Sequence, residues 1–130
     1  MSYSNSTAGI ETVDALLQAY TKGRRDFSGV ALTTASLSAA DLKGADLSYA
    51  DFAEADLSQA NLRGVDLSYA VLRGANLTSA NLRGAMLIGT DLREANLAGT
   101  TLAEADYDPV ETHFPKDFDP AAAGMKSDRQ

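Results

Sequence analysis

Large apolar residues recur at every fifth position through most of the chain, each with a small residue two positions before it. The stretch from 75 to 100, ANLTSANLRGAMLIGTDLREANLAGT, has leucine at 77, 82, 87, 92 and 97. An α-helix advances about 100° per residue, so leucines five apart would face every side of it. A β-strand reverses its face at each residue, so an odd spacing would flip successive leucines. The spacing is satisfied if the chain turns a corner every five residues and every large residue points to one axis.

The register of five is unbroken from Phe27 to Tyr107. The central large residue and the small residue two before it share a face, as on a short strand, and are predicted to point inward. The other three positions point outward or form the corner. Their content agrees, because Asp and Asn hydrogen-bond nearby backbone and Gly relieves turn strain. LSYA begins at both 47 and 67, and ANLRG begins at both 60 and 80. This longer period of four pentads favours four units per coil, although the period alone also allows three or five sides.

The units ADLSY, ADLSQ, ANLRG, VDLSY and ANLTS share one order: small residue, Asp or Asn, Leu or Phe, Ser/Thr/Arg, any residue. With this pattern in so many copies, the sequence resembles the pentapeptide-repeat family over about residues 25–108. The resemblance implies an all-β solenoid, a right-handed quadrilateral β-helix of about four coils. At a strand spacing of about 4.8 Å, four coils would form a body on the order of 20 Å tall.

The residues before the repeat predict an α-helical cap, which a stacked solenoid needs at each end. TVDALLQAYTKG has four apolar residues at the i, i+3, i+4, i+7 spacing of an amphipathic helix, namely Val13, Leu16, Leu17 and Tyr20. Thr12 is suited to be the N-cap, and Gly23 can end the helix. We expect this helix to cover Phe27 and Leu32. The alternative is a helix that binds a partner.

Residues 109–125, PVETHFPKDFDPAAAGM, abandon the repeat and carry three prolines. We expect Phe114, Phe118 and Met125 to fold over the last coil as an irregular C-terminal cap. LLQAYTKGRRDF and the pattern FP..FDP…GM resemble cyanobacterial members of the same family. The predicted organisation is a tail and capping helix over residues 1–24, the repeat over 25–108, and a cap and flexible tail over 109–130.

Composition restricts the class of partner and the compartment. The chain has 18 acidic and 11 basic residues, a formal charge of −7, and no cysteine. Direct nucleic-acid binding is not expected, because contact with phosphates needs clustered Lys and Arg. No apolar run reaches the roughly 20 residues of a membrane span, and the N-terminus lacks a secretory signal. We therefore expect a cytoplasmic protein that is a monomer or a weak dimer.

Signatures of catalysis and of cofactor or metal binding are missing from the sequence. His113 has no neighbouring cysteine and no sequence context that establishes a catalytic triad. No phosphate-binding loop, zinc motif or EF-hand spacing is present. Asp26, Asp46 and Asp66 should stack in one column that a cation could bridge, but Asp is the commonest residue at that repeat position. We predict that the protein is not an enzyme and that it binds no cofactor and no metal.

Two surface features depart from a uniform polar exterior. The first is a candidate protein-binding patch at one edge, consisting of Tyr49, Tyr69, Val71, Met86 and Ile88. Val71 and Met86 replace Asp or Asn, and Ile88 replaces Ser, Thr or Arg. A contiguous apolar patch often marks an interface. The alternatives are that the C-terminal tail covers it or that the tyrosines form a simple ladder.

The second feature is a set of candidate basic stripes, with Lys43, Arg63 and Arg83 in one column and Arg73 and Arg93 on an adjoining face. We interpret them as groups that promote solubility and pair locally with outward Asp and Glu.

Two functions are consistent with these features. The favoured one is a non-catalytic protein-protein interaction or scaffold module, because a rigid ladder is suited to displaying surface. The alternative comes from the resemblance, since some family members imitate duplex DNA and protect gyrase: a DNA-mimicking modulator of a type II topoisomerase. The arginine stripes, the small number of coils and the lack of an inserted loop count against the alternative.

Overall fold

A computed structural model describes residues 9–128, and the ends of the two predicted tails, before and after this range, lie outside it. Helix α1 spans Val13–Thr21, and two short parallel strands, β1 (Asp106–Tyr107) and β2 (Lys126–Ser127), pair with each other. Between α1 and β1 the chain is joined by single parallel bridges between residues four pentads apart, from Asp26 with Asp46 to Met86 with Asp106. Each coil therefore has four bridge positions, one in each pentad, which agrees with four units per coil.

The bridge positions define four faces, which we number in chain order. The first face contains positions 26, 46, 66, 86 and 106, and the second contains 31, 51, 71 and 91. The third face contains positions 36, 56, 76 and 96, and the fourth contains 41, 61, 81 and 101. Residues four pentads apart are hydrogen-bonded neighbours, so each face displays a column of side chains in stacking order.

The interior is formed by the residues that the pentad pattern predicts to point inward. Almost all central Leu and Phe side chains are buried, as are most of the small residues two positions before them. Leu97, on the last rung of the third face, is only partly buried. Burying a leucine contributes roughly 1.5–3 kcal/mol, so the stacked column supplies most of the drive to fold.

Two threonines occupy inward positions without leaving an unsatisfied hydroxyl. Thr90 is fully buried, and its Oγ1 donates to the carbonyl oxygen of Leu67 at 2.8 Å. Thr112 is also buried and donates in the same way to Leu87 at 2.8 Å. The inward position therefore tolerates a small polar residue where a backbone carbonyl is within reach.

Each corner is a tight turn that explains the outward letters of the repeat. In one example, the N–H of Ala50 donates to the carbonyl of Leu47 at 3.1 Å, and Tyr49 between them has a φ of 62°. The Asp or Asn before the centre caps this turn. Asp46 Oδ1, for instance, accepts from the N–H of Ser48 at 3.0 Å. The third turn position has a positive φ in every pentad, whether it is glycine or another residue.

Helix α1 covers the first coil. Its N-cap is Thr12, whose side chain accepts from the N–H of Ala15 at 3.1 Å, as predicted. Leu16 is completely buried, and the hydroxyl of Tyr20 donates to the carbonyl of Lys43 at 2.7 Å. The helix is thus fastened to the solenoid both by its apolar face and by a hydrogen bond.

The C-terminal segment continues the coil where an irregular cap was expected. His113 bridges Asp91, and β2 pairs with β1 in the register of the earlier coils. The step from position 106 to 113 takes seven residues instead of five, and the step from 113 to 126 takes thirteen instead of fifteen. A partial fifth coil therefore forms on the first and second faces, because the two extra residues between positions 106 and 113 are recovered before position 126.

The predicted aromatic residues do pack at this end. Phe114 and Phe118 stack with ring centroids 5.1 Å apart, both lie against the core, and Met125 is buried. Lys126 and Ser127, expected in the flexible tail, lie in β2 because their backbone pairs with β1. The boundary between the repeat and the cap at residue 108 stays a prediction. The β1–β2 pairing joins residues on both sides of it.

The left-handed corners lead to a stability prediction. Ala39 has a φ of 63°, whereas Ala98 occupies the preceding turn position, where φ is not positive. We expect Ala39→Gly to raise the free energy of unfolding by about 1 kcal/mol, because glycine removes the Cβ clash of that conformation. Ala98→Gly should lower it by about 0.5–1 kcal/mol through unfolded-state entropy. Urea unfolding of both variants would measure the difference, and equal losses would contradict this account of the corners.

Candidate interaction surface

The predicted patch lies on the surface. The exposed large hydrophobic residues within residues 9–128 are Tyr49 (66%), Tyr69 (44%), Met86 (42%), Val71 (36%) and Val110 (71%). Four of these five are patch residues that the sequence singled out. Ile88, the fifth predicted member, is only half-exposed. We refer to Tyr49, Tyr69, Val71, Met86 and Ile88 as the apolar edge.

The corner between the first and second faces carries the two tyrosines. Their rings stack with centroids 5.5 Å apart and planes inclined by 17°. The Tyr69 ring lies over Gly89 in the next coil, where an added Cβ would overlap the ring. The tyrosine ladder is therefore real, and it ends on a glycine that leaves room for it.

Met86 and Val71 flank this corner on different faces. Met86 is on the first face, bridged by Asp66 on one side and Asp106 on the other. Val71 is on the second face, between Asp51 and Asp91. The pairing thus brings the predicted residues to one edge, where Met86 interrupts a column of aspartates and Val71 lies between two aspartates.

The apolar replacements also remove a hydrogen bond that ordinary rungs make. Asp66 Oδ1 accepts from the N–H of Ser68 at 2.9 Å, whereas Met86 and Val71 have no acceptor for the N–H two positions on. The corner conformation persists at Gly89, where φ is 71°. The turn therefore forms without a capping Asp or Asn, and it gives no reason for a methionine at position 86.

The C-terminal segment borders the apolar edge without covering it. The hydroxyl of Tyr69 donates to Glu111 Oε1 at 2.9 Å, and the four exposed edge residues stay exposed. Asp108 Oδ1 accepts from the N–H groups of Val110 and Glu111 at 2.7 and 3.2 Å, which holds this turn. Val110 and Glu111 were not found from sequence, because the segment has no repeat letters that would assign it to a corner.

The basic stripes are on two faces and are largely paired. Lys43, Arg63 and Arg83 are on the fourth face, and Arg73 and Arg93 on the second. Within the described range three ion pairs form: Arg73 with Glu94 at 3.6 Å, Arg83 with Glu104 at 3.5 Å, and Arg93 with Asp91 at 2.8 Å. These side chains are mostly well exposed, so each pair contributes little to stability. Local pairing is thus observed for three of the five.

One of these pairs is geometrically stronger than the others. The Arg93 guanidinium donates to both carboxylate oxygens of Asp91, at 2.9 and 2.8 Å. This contact holds the pKa of Asp91 below its ordinary value. The Asp91 carboxylate is therefore already neutralised by a neighbour on its own rung.

The described part of the chain shows no arrangement for metal chemistry. Among residues 9–128, no group of three His, Cys, Asp or Glu side chains could hold a metal ion. Asp26 and Asp46 direct Oδ1 to the serine two positions on, at 3.0 and 2.7 Å from its hydroxyl. His113 is exposed and joins the solenoid by its backbone. No helix in the described range is long and apolar enough to cross a bilayer.

Comparisons with known proteins agree with the repeat architecture. The family model described as Pentapeptide repeats matches residues 26–64, 55–93 and 75–106, more than half of the chain. No curated protein sequence matches the chain.

Solved structures that are similar to this one include the following three. The pentapeptide repeat protein alr5209 from Nostoc Pcc 7120 is 52% identical, with a TM-score of 0.87, over 89% of this chain and 95% of its own. A pentapeptide repeat protein from the Arabidopsis thaliana thylakoid lumen is 32% identical, with a TM-score of 0.54, over 66% of this chain and 63% of its own. HetL from Nostoc sp. Strain PCC 7120, described as involved in heterocyst differentiation regulation, is 42% identical, with a TM-score of 0.45, over 73% of this chain and 46% of its own.

The contact between Tyr69 and Glu111 predicts a pH effect. The hydrogen bond to Glu111, with the charge of that carboxylate, raises the pKa of Tyr69. A raised pKa means that the contact stabilises the fold below the unfolded tyrosine pKa of about 10, and that this stability is lost as pH rises through the folded value. Glu111→Gln should make Tyr69 ionise at lower pH, measured by tyrosinate absorbance with Tyr69→Phe to assign the signal. Glu104→Gln, with the same change in charge, should leave that titration unchanged; an equal shift there would contradict the contact.

Proposed function

The chain belongs to the pentapeptide-repeat family, and from that premise we propose that it is a non-catalytic protein-interaction module whose partner docks on the apolar edge. The observation that carries the proposal is the position of the exposed large hydrophobic residues. Tyr49, Tyr69, Val71 and Met86 are all at one edge, on a scaffold whose outward positions are otherwise mainly polar. Contiguous exposed apolar surface of this kind is typical of interfaces.

The rigidity of the scaffold supports the same proposal. Each rung is hydrogen-bonded to the rungs above and below it, as where Leu67 N–H donates to Met86 O at 2.9 Å and Asp66 N–H donates to Ala45 O at 3.0 Å. Side chains on such a frame hold their relative positions before a partner arrives, which lowers the ordering cost of association. Display of a fixed surface, rather than catalysis, is the activity that this frame favours.

We also propose that the scaffold is a right-handed quadrilateral β-helix, which family membership and the coil of four pentads support. We also propose that the protein acts as a monomer or weak dimer, with another protein as its partner. A cytoplasmic location stays a prediction, since one similar protein comes from a thylakoid lumen.

The test is a double variant that restores an ordinary rung. Met86→Asn with Ile88→Ser recreates the Asn–Leu–Ser/Thr order and supplies an acceptor for the N–H of residue 88. A partner captured by the immobilised protein from an extract of the cells that express it should bind roughly 30-fold more weakly to this variant. The reason is that about 2 kcal/mol of apolar burial is lost.

A control at the equivalent positions of the third face keeps the comparison matched. Asn76→Asp with Thr78→Ser should retain the partner, and urea unfolding should show that both double variants are folded. Undiminished binding by the Met86 and Ile88 variant would reject the apolar edge as the docking site.

A second candidate function is modulation of a type II topoisomerase by imitation of duplex DNA. Its support is the formal charge of −7 and the column of Asp26, Asp46 and Asp66 on the first face. Against it, Arg63 and Arg83 give the fourth face the opposite charge.

A gyrase supercoiling assay separates the two functions. If the protein is the proposed interaction module, titrating it into the assay should leave the supercoiling rate unchanged. Dose-dependent inhibition, or protection of gyrase from a quinolone, would favour the topoisomerase alternative instead. Asp46→Asn with Asp66→Asn is the matched variant, because it should remove any such effect that depends on the acidic column.

A further inference from the structure

The first face surrounds its apolar rung with carboxylates. Reading along the stack, the outward residues before each centre are Asp26, Asp46, Asp66, Met86 and Asp106. The residues after the centres are Ser28, Ser48, Ser68, Ile88 and Asp108, of which Asp108 is buried. The first cation in these columns is Lys126, which lies beyond Asp106 in β2. Met86 and Ile88 are therefore an apolar step with acidic rungs on both sides.

The carboxylates on either side of this step are available to a partner. Asp66 and Asp106 are half-exposed, and neither forms an ion pair within residues 9–128. The second face is different, because one of the two carboxylates that flank Val71, Asp91, is paired with Arg93. In the described part of the chain, Met86 therefore has an unpaired carboxylate on both neighbouring rungs, whereas Val71 has one only on the Asp51 side.

Resting on the proposed function, we propose that the apolar edge recognises a basic protein segment, in which an apolar side chain seats on Met86 and Ile88 and flanking Lys or Arg side chains meet Asp66 and Asp106. Successive rungs are about 4.8 Å apart, so the two carboxylates are on the order of 10 Å apart across Met86. An extended chain rises about 3.3 Å per residue and shows every second side chain on one face. Basic residues two positions before and two after the apolar residue therefore span the distance with the reach of their long side chains.

Charge complementarity also selects this occupant over a second copy of the chain. A two-fold contact through the apolar edge would bring the carboxylates of one first face towards those of the other. With a formal charge of −7 on each copy, that arrangement is repulsive. A basic segment bound at the same apolar edge would instead be attracted to these carboxylates.

Three short synthetic peptides would test the inference by fluorescence anisotropy at low ionic strength. Each has a central leucine in an otherwise Thr background, with lysine, serine or glutamate two positions to either side. The lysine peptide should bind the wild-type protein most tightly and should weaken as salt is added. It should bind about tenfold more weakly to Asp66→Asn with Asp106→Asn, because two exposed charge pairs are lost.

The chain provides a matched control for the change in charge. Asp41→Asn with Asp56→Asn removes the same two charges from the fourth and third faces and should leave binding of the lysine peptide unchanged. Asparagine occupies the same rung position at Asn61, Asn76 and Asn81, where its Oδ1 caps the turn. These substitutions are therefore expected to preserve the fold.

The outcomes separate this inference from the proposed function. Equal binding of the serine and lysine peptides, lost in Met86→Asn with Ile88→Ser, would overturn the basic partner and leave the apolar edge as a docking site. Equal weakening by the near and remote Asp variants would show non-specific charge attraction and overturn the inference. The inference would also be overturned if none of the three peptides bound. It would likewise be overturned if sedimentation showed concentration-dependent dimerisation that the Met86 and Ile88 variant abolishes.

Discussion

The hydrogen bonds between successive coils are the constraint on which the rest of the structure depends. The residue before each centre donates to the coil below, and the centre donates to the coil above, as Asp66 N–H does to Ala45 and Leu67 N–H to Met86. This pattern requires a repeat of four pentads and directs the centre of each pentad, and the small residue two positions before it, into the interior. Large residues must then alternate with small ones, because two large inward residues on one short rung would not fit. The constraint acts on the backbone and the inward positions, and it leaves outward side chains comparatively free.

That freedom explains why the scaffold and the surface carry different information. Outward Asp and Asn contribute to the fold by capping turns, so their frequency says little about a partner. Residues that give up this cap are more informative, since Met86 and Val71 contribute no acceptor to their own rungs. An apolar side chain at such a position is retained at the expense of a local hydrogen bond and is exposed to water. Both losses are offset if a partner buries the side chain.

The pentad pattern predicted the interior and the corners, because inward and outward positions repeat with a fixed period. It also predicted that Tyr49 and Tyr69 would stack, since they are four pentads apart. It did not predict the partial fifth coil. The backbone of His113 pairs with Asp91 without any repeat letters around it, and a two-residue extension shifts the register. Glu111 and Val110 border the apolar edge for the same reason, through backbone pairing that leaves no mark on side-chain identity.

Position along the stack, rather than residue type at one corner, identifies the apolar edge. Tyr69 has a φ of 61°, but Gln59 and Glu94 have the same left-handed conformation at 60° and 65°, so the conformation belongs to the fold. Tyr69 differs in its neighbour one coil later, because Gly89 leaves a space that the ring occupies. Tyr49 stacks on the other side, and Met86 and Ile88 are on the rung that leads into Gly89. A side chain at Gly89 would displace the ring, so the edge depends on a small residue that itself contributes no apolar surface.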